Sequence, residues 1–350
     1  MSFSLPTVAE LHNEDLRLEL QAVLDGKTKP LGSFGDLESL AVQMGLIQQS
    51  PRPVLTAPQM VVFVADHGLA ARGVSANSRD MTWQMVENVL SGGAASCVLA
   101  RQHGLALTTV DCGVDHAFLP ADQPSRPGLI VKKVSNGANG TADSFSEPAM
   151  TLAQCQEAIS NGGDVVKGLP GNVLLVGEMG VGNTSAAALL LARLAELDIA
   201  DCTGAGAGLD NVGLDRKIKV LSQVLQRHSY AAGPMAALTA FGGFEIATMV
   251  GAVLQAAHER RVVMVDGFTA CAAVMVAQAL VPQVLGYCVF AHRSGERGHR
   301  LMLEHMGANP LLDLGLRVGE GTGAALAWPL LVSVCQLMAE MARWPSKDAQ

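Results

Sequence analysis

Five short apolar runs, each followed at once by glycine and polar residues, constrain the fold of this chain more than any other feature. The runs and their clusters are residues 60–65 before Asp66-His67-Gly68, 105–110 before Asp111-Cys112-Gly113, 173–176 before Gly177-Glu178, 262–265 before Asp266-Gly267, and 287–290 before Ala291-His292-Arg293-Ser294. Runs of this length and composition indicate buried β-strands. Because helix-like segments separate them, they predict a parallel sheet.

The helix-like segments and the ends of the chain complete the predicted fold. Helices are predicted at residues 82–101, 152–167, 184–197, 214–226, 244–260 and 324–343, and loops at 131–146 and 201–210. The sequence therefore predicts an α/β fold with a doubly wound, mainly parallel, Rossmann-like sheet. We expect residues 56–310 to form a large domain that carries the ligand site. Residues 1–55 together with 311–350 are expected to form a smaller, mostly helical lobe packed on it.

Composition and charge argue against several classes of protein. The 350 residues are 49% apolar and 16% charged, which allows a large buried core. A net charge of −8 gives no broad basic field, so nucleic acid is not expected as a partner. Seven cysteines without a C-x-x-C pair are typical of reduced thiols and indicate a cytoplasmic protein. We expect neither a signal peptide nor a membrane span, because the required uninterrupted apolar segments are missing.

Residues 177–184, Gly-Glu-Met-Gly-Val-Gly-Asn-Thr, place a glycine-rich turn between a predicted strand and a predicted helix. Backbone N–H groups near Gly180, Gly182 and Thr184 would then be aimed at an anion. The segment nearly matches the G-x-x-x-x-G-K-[ST] phosphate loop, but Asn183 stands where a lysine is required. A monophosphate or ribose hydroxyls are therefore expected rather than a nucleoside triphosphate. The alternative is a plain turn in which Asn183 or Thr184 caps a helix.

A second glycine-rich turn supplies the cation that the first turn lacks. Gly204, Gly206 and Gly208 alternate with alanine, and Lys217 follows near the start of a predicted helix. If that helix begins near Gly213, Lys217 lies about one turn inside it and can reach a phosphate held by the loop. The alternative is a solvated lysine on a surface helix.

A single carboxylate, Glu320, lies between glycines and before a strongly apolar helix. Small neighbours allow a substrate to approach closely, and an apolar wall raises the proton affinity of a carboxylate by desolvation. Glu320 is therefore a candidate general base near neutral pH. The alternative is a glutamate that favours the positive end of the following helix.

The remaining polar clusters are weaker indicators. Asp66-His67-Gly68 and His292-Arg293-Ser294 would fit a hydrolase, but no G-x-S-x-G motif accompanies them. No H-E-x-x-H motif is present, so we expect no metal site. The segment from Ser75 to Gln84 could present polar groups and Trp83 to an aromatic base.

Together these segments resemble the nicotinate-nucleotide:dimethylbenzimidazole phosphoribosyltransferase family. The similar stretches are residues 30–38, 65–68 with 73–75, 177–184, 242–247, 265–268, 292–294 and 319–323. They occur in order over almost the whole chain, and this makes the resemblance specific. It implies an inverting transfer, in which a benzimidazole base attacks C1′ of nicotinate mononucleotide and nicotinate leaves. The product, α-ribazole phosphate, carries the lower ligand used in cobalamin synthesis.

The resemblance also assigns roles to residues. It implies Glu320 as the general base and Glu178 at the same site, where a second carboxylate can stabilise an oxocarbenium-like transition state. The phosphate is expected at Lys217, Ser294, Gly180 and residues 204–208. The base pocket is expected at Ser75 and Gln84. A homodimer is implied, and no cofactor is expected because the donor is a monophosphate.

Two other functions fit parts of the sequence. The turn at residues 177–184 could belong to a P-loop-like ATP-dependent kinase or synthetase, although Asn183 weakens that hypothesis. The chain could also be a non-catalytic, nucleotide-binding regulatory or scaffold protein. The kinase or synthetase hypothesis predicts Mg²⁺-dependent binding of ATP, and the regulatory or scaffold hypothesis predicts no turnover.

Overall fold

A six-stranded parallel sheet lies at the centre of the computed structural model, which describes residues 3–119, 122, 125–134 and 140–345. The strands are β1 (Gln59–Ala65), β2 (Ala106–Gly113), β3 (Leu129–Val131), β4 (Val173–Met179), β5 (Val262–Val265) and β6 (Cys288–Phe290). Their order is β3-β2-β1-β4-β5-β6, and every pair is parallel. This confirms the predicted doubly wound α/β fold. The strand order reverses between β1 and β4, the position at which such sheets bind ligands.

The strands form where the sequence predicted them because their apolar residues are buried on both faces of the sheet. Every residue of β1 is buried, as is every residue of β5. Strands covered on both sides need continuous apolar runs rather than alternating ones. In β4, however, the strand continues through Gly177 and Glu178 to Met179. Glu178 is therefore the penultimate residue of a strand, beside Phe63 of β1, and not part of the turn that follows.

Helices surround the sheet and account for most of the remaining chain. They are α1 (Glu14–Asp25), α2 (Asp36–Gln48), α3 (Met81–Leu90), α4 (Ala95–His103), α5 (Leu152–Lys167), α6 (Asn183–Leu194), α7 (Ile199–Cys202), α8 (Asn211–Arg227), α9 (Pro234–Phe241), α10 (Phe244–His258), α11 (Phe268–Leu280), α12 (Arg297–Met306) and α13 (Thr322–Glu340). Two short 3₁₀ helices, Gly68–Arg72 and Pro282–Tyr287, complete the secondary structure of the described residues.

The single helix predicted over residues 82–101 is wrong. The chain forms α3 and α4 instead, separated by a turn at residues 91–94. Gly92 has a φ of +83°, in the left-handed region that glycine adopts without steric cost. That conformation ends α3 and lets α4 begin in a new direction.

Two predicted loops need correction as well. The loop predicted at residues 131–146 begins on Val131, which belongs to β3, a strand that the sequence analysis did not predict. Residues 135–139 of that loop lie outside the described residues. The loop predicted at 201–210 begins inside α7, whose last residue is Cys202.

The N-terminal segment is joined to the sheet through the 3₁₀ helix Pro282–Tyr287 and β6. The Gln43 side-chain amide donates to the carbonyl oxygens of Gly286 and Cys288, at 2.8 and 3.0 Å. The Tyr287 hydroxyl donates to the Ala9 carbonyl oxygen at 2.9 Å. These contacts fix the N-terminal segment to the edge of the sheet, and the division into residues 56–310 and 1–55 plus 311–350 stays a prediction.

By length and composition, α13 is apolar enough to cross a membrane. It is, however, a helix of the protein core, where Ala324, Ala325, Ala327 and Leu331 are fully buried. It contacts α2, α4, β4 and β5. Its apolar composition is therefore explained by packing in the core over much of its surface.

Candidate active site

A cavity of about 320 Å³ opens at the carboxyl ends of β1, β4 and β5, next to the point where the strand order reverses. Its volume is in the range of small-molecule sites. Nine of the thirteen residues predicted for the site line it: Ser75, Glu178, Gly180, Gly182, Asn183, Thr184, Gly206, Ser294 and Glu320. The predicted catalytic carboxylates and the predicted phosphate-binding turn therefore meet in one place.

Four predicted residues do not line this cavity. Lys217 and Gly204 lie behind its wall, where both are buried. Gly208 and Gln84 are exposed. Ser75 lines the cavity together with Met81 and Met85 of α3, so α3 contributes methionine side chains there rather than Gln84.

Trp83 contacts another ring of the protein instead of the cavity. It stacks on His116, with ring centroids 4.8 Å apart and an angle of 10° between the planes. The suggestion that Trp83 presents its face to an aromatic base is therefore not supported by its position.

Glu320 lies in an unusual stretch of backbone. It has a φ of +59°, between Gly319 at +79° and Gly321 at +75°. A left-handed conformation is unfavourable for a residue with a side chain and costs on the order of 1–3 kcal/mol. Such strain is characteristic of functional sites, where the surrounding structure holds it in place.

The glycines around Glu320 allow its loop to lie directly against β4. The Glu320 N–H donates to the carbonyl oxygen of Glu178 at 3.0 Å. A Cβ atom at Gly177 would lie only 2.2 Å from the backbone nitrogen of Gly321. No larger residue fits at position 177 without displacing this loop, so the two carboxylates are brought together by backbone contact.

The carboxylate of Glu320 is held by α4 and not by the helix that follows it. Ser96, in the first turn of α4, donates its hydroxyl to Oε2 of Glu320 at 3.0 Å. The start of α13 is occupied by Asp266, which accepts from the N–H groups of Gly321 and Ala324 at 3.0 and 3.1 Å. The alternative role considered for Glu320, at the positive end of the following helix, is therefore filled by Asp266.

The two glutamates differ in proton affinity. Burial raises the pKa of Glu178 to about 8, helped by Asp266, Glu245 and Glu320 and opposed by a hydrogen bond from the Asn183 amide. Burial also raises the pKa of Glu320, with hydrogen bonds from the Ser96 side chain and backbone opposing it. Burial therefore favours the protonated form of Glu178 in the ligand-free protein near neutral pH.

Asn183 and Thr184 do not act as helix caps. The residue that precedes α6 is Gly182, and no side chain caps that helix. Asn183 instead donates its amide to Glu178. The hydroxyl of Thr184 accepts from the Lys217 ammonium at 3.0 Å. Asn183 thus connects the glycine-rich turn to Glu178, and Thr184 connects it to Lys217.

Lys217 is a buried cation, not a solvated surface lysine. Only 1% of it is exposed, and it donates to Thr184 Oγ1 and, at 3.1 Å, to the Gly204 carbonyl oxygen. Burial lowers its pKa to about 8, which Glu296 partly offsets. The helix that carries it, α8, begins at Asn211 and not near Gly213. Lys217 therefore lies nearly two turns inside the helix, with its ammonium between the two glycine-rich turns.

Ser294 is fixed in the cavity wall by a neutral histidine. Its backbone N–H donates to Nδ1 of His299 at 2.9 Å, and its hydroxyl lies 2.9 Å from the same atom. Nδ1 is therefore an acceptor, and Nε2 carries the proton, 3.1 Å from the Cys271 thiol. Burial lowers the pKa of His299 to about 3, so the ring stays neutral.

The sequence analysis missed Ser96, His299 and Glu296 as residues of this region. Glu296 lines the cavity, is 9% exposed, and its Oε2 has no hydrogen-bond partner among the described residues. Glu296 lies two positions after Ser294, and this spacing could have identified it as a site residue. Ser96 lies 224 residues from Glu320, so no local pattern connects the two. Within the described part of the chain, no three His, Cys, Asp or Glu side chains are grouped to hold a metal.

Comparison with known proteins gives a consistent family. A family model described as "Phosphoribosyltransferase" matches residues 9–347. A nicotinate-nucleotide–dimethylbenzimidazole phosphoribosyltransferase from Variovorax paradoxus is 61% identical over 97% of this chain and 95% of its own length. One from Cupriavidus necator is 54% identical over 94% of each chain.

The fold agrees with these relatives. The crystal structure of CobT from Thermus thermophilus has a TM-score of 0.87 and is 35% identical to this chain. The match covers 94% of this chain and 97% of that one. The P-loop kinase or synthetase considered as an alternative finds no support. This chain belongs to the nicotinate-nucleotide–dimethylbenzimidazole phosphoribosyltransferase family, as its motifs predicted.

Proposed function

We propose that this chain transfers the 5-phosphoribosyl group of nicotinate mononucleotide to 5,6-dimethylbenzimidazole or a related base. The products are α-ribazole 5′-phosphate and nicotinate, for assembly of the cobalamin nucleotide loop. One observation carries the proposal most directly: the buried Glu320 lines the same cavity as the turn at residues 180–184, behind which lies the ammonium of Lys217. A proton acceptor and a glycine-rich turn suited to an anion thus line the same cavity.

The donor phosphate is assigned to the side of the cavity that holds the cation. Lys217 has three N–H donors, and two of them are used by Thr184 and Gly204. We assign the third to a phosphate oxygen bound at the wall that separates Lys217 from the cavity, where the backbone N–H groups of Gly180, Gly182 and Gly206 and the hydroxyl of Ser294 are the other expected donors. A monophosphate needs no further cation, so the reaction is expected to run without metal or other cofactor.

The base is assigned to the other side, between Ser75 and Glu320. A ring nitrogen of the benzimidazole attacks C1′ with its lone pair, while the bond from C1′ to the nicotinate nitrogen breaks. The electron pair of that bond neutralises the pyridinium, so nicotinate leaves without being protonated. The remaining N–H proton of the attacking base passes to the carboxylate of Glu320. Attack from the face opposite to nicotinate inverts the configuration at C1′.

Glu178 is assigned to the cationic centre of the reaction. Because its pKa is about 8, the carboxyl is mostly protonated in the ligand-free protein at pH 7. A pyridinium donor in the same cavity favours its ionised form, since opposite charges at close range lower a carboxyl pKa. Glu178 would then stabilise the positive charge that develops at C1′.

Turnover tests the proposal directly. The protein is incubated with nicotinate mononucleotide and 5,6-dimethylbenzimidazole, without metal, and chromatography detects nicotinate and the new nucleotide. Formation of both, dependent on the base, is expected. Absence of both products would overturn the proposal and is the outcome expected of a non-catalytic nucleotide-binding protein. Phosphorylation of an acceptor by ATP and Mg²⁺ would overturn it as well.

A homodimer in the cytoplasm is part of the same proposal. Leu314 and Val318 are 61% and 54% exposed, and Val318 lines the cavity, so a partner chain that covered these residues would also border the site. All seven cysteines are free and buried, which supports a reducing compartment. Light scattering coupled to size-exclusion chromatography should give twice the chain mass of 36.4 kDa.

A further inference from the structure

We propose that Ser96 is a positioning residue for the carboxylate of Glu320. Its hydroxyl is expected to fix one carboxylate oxygen and to keep the group ionised, so that Glu320 can accept a proton from the attacking base. This inference rests on the general-base role proposed for Glu320. It gives α4, which carries no residue predicted for the site, a part in the reaction.

The contact between the two side chains is short and fully enclosed. The Ser96 hydroxyl lies 3.0 Å from Glu320 Oε2, and the two residues are 0% and 3% exposed. A hydroxyl that donates to a carboxylate stabilises its charged form and restricts its rotation. The lone pairs of Glu320 that Ser96 does not use remain for the cavity that Glu320 lines.

The turn between α3 and α4 is what brings Ser96 to this position. Residues 91–94 break the helical path, with Gly92 at a φ of +83°, so that α4 starts at Ala95 with its first turn beside Glu320. The residue before α4, Ala94, offers no side-chain cap. Glu320 therefore receives both the hydroxyl and the backbone N–H of Ser96.

The charged group that acts against the ionisation of Glu320 is Asp266, which directly follows β5. Glu178, on β4, is itself held mostly in its protonated form near neutral pH by burial, which raises its pKa to about 8. His292 is 3.4 Å from Asp266 and not in contact with Glu320 by any hydrogen bond or ion pair found in the described residues. Burial and Asp266 raise the pKa of Glu320, whereas Ser96 lowers it. Without the Ser96 hydroxyl, burial and Asp266 should therefore raise the pKa of Glu320 further.

The pH dependence of kcat distinguishes positioning from a purely structural role. Ser96→Ala is expected to move the acidic limb of the profile to higher pH, because a larger fraction of Glu320 stays protonated. A hydrogen bond to a charged group contributes enough for roughly a tenfold loss of kcat on the acidic limb. At a pH well above the limb, most of the loss should disappear. An acidic limb at the wild-type position would overturn the inference.

Two further variants separate the hydroxyl from the packing of α4. Cys97→Ala removes a neighbouring buried side chain of the same helix, whose thiol donates to the Val89 carbonyl oxygen at 3.2 Å and does not contact Glu320. It should lower thermal stability without moving the limb. Ser96→Thr keeps the hydroxyl and should keep the wild-type limb. An equal shift in Cys97→Ala, or a Thr variant that behaves like Ala, would contradict the inference.

Failure of this inference can be told apart from failure of the proposed function. If the wild-type protein releases no nicotinate, or if Glu320→Gln turns over normally, then the proposed function or the role of Glu320 is wrong. If turnover depends on Glu320 but the limb is the same in wild type and Ser96→Ala, then only the positioning role of Ser96 is wrong.

Discussion

Glu320→Gln is the substitution that most directly tests the reaction. Glutamine has the same shape and can still be contacted by the Ser96 hydroxyl, which lies 3.0 Å from Oε2 in the wild type. Its amide cannot accept the proton of the attacking base. Loss of a general base lowers the rate by about 10²- to 10⁴-fold, or roughly 3–5 kcal/mol of activation free energy. The free energy of unfolding should change by only ~1 kcal/mol, because no cavity is created and no group is left without a partner.

Steady-state release of nicotinate, measured at saturating concentrations of both substrates, gives kcat for this variant. Calorimetric titration with nicotinate mononucleotide gives its Kd, which should stay within a few-fold of wild type because Lys217 and Ser294 are unchanged. Glu304→Gln is the matched control, since Glu304 pairs with Arg300 on the surface and its side chain is 57% exposed. A Glu320→Gln variant with near wild-type kcat, or one whose loss appears only in KM, would refute the general-base assignment.

Three other predictions concern the phosphate site and the fold. Lys217→Ala should raise the KM for nicotinate mononucleotide by about 10- to 100-fold, whereas Lys219→Ala, on an exposed position of the same helix, should leave KM unchanged. In the wild type, kcat/KM for the donor should fall as the pH rises through about 8, where Lys217 loses its charge, and this fall should be absent from Lys217→Ala. Gly177→Ala should lower the free energy of unfolding by about 3 kcal/mol, because its Cβ would lie 2.2 Å from the Gly321 nitrogen, while Gly168→Ala, with its nearest atom at 3.5 Å, should change chemical denaturation little.

The sheet could be predicted because burial on both faces leaves a direct trace in the sequence. Four of the five predicted strands are continuous apolar runs, the fifth, at residues 105–110, contains Thr108 and Thr109, and all five are present at nearly the predicted residues. The sixth strand, β3, was not predicted. Its three residues are only partly buried or exposed, so it has no buried apolar run in the sequence. The glycine-rich turn at residues 177–184 was predictable for a related reason, since a strand followed by a helix start identifies it locally.

The arrangement around Glu320 could not be predicted in the same way. The segment Ser91-Gly92-Gly93 is a local turn signal that the single helix predicted over residues 82–101 did not take into account, but it does not tell where the second helix points. The partner of Glu320, Ser96, lies in the helix that this break redirects. Lys217 was predicted as a candidate, but its burial depends on packing against Thr184 and Gly204. Such contacts between distant residues follow from the tertiary fold and not from local pattern.

The positions of Asp266 and Glu320 explain how one carboxylate at this edge of the sheet can remain a base. A carboxylate whose oxygens accept backbone N–H groups at a helix start has fewer lone pairs left to accept a proton from a substrate. Here Asp266 occupies the start of α13, and the left-handed backbone at residues 319–321 turns Glu320 away from it, toward α4. Glu320 is buried, its pKa is raised, and only Ser96 opposes this change by hydrogen bonding. The left-handed backbone at Glu320, which costs on the order of 1–3 kcal/mol, is therefore what directs this carboxylate to Ser96 and the cavity instead of to the start of α13.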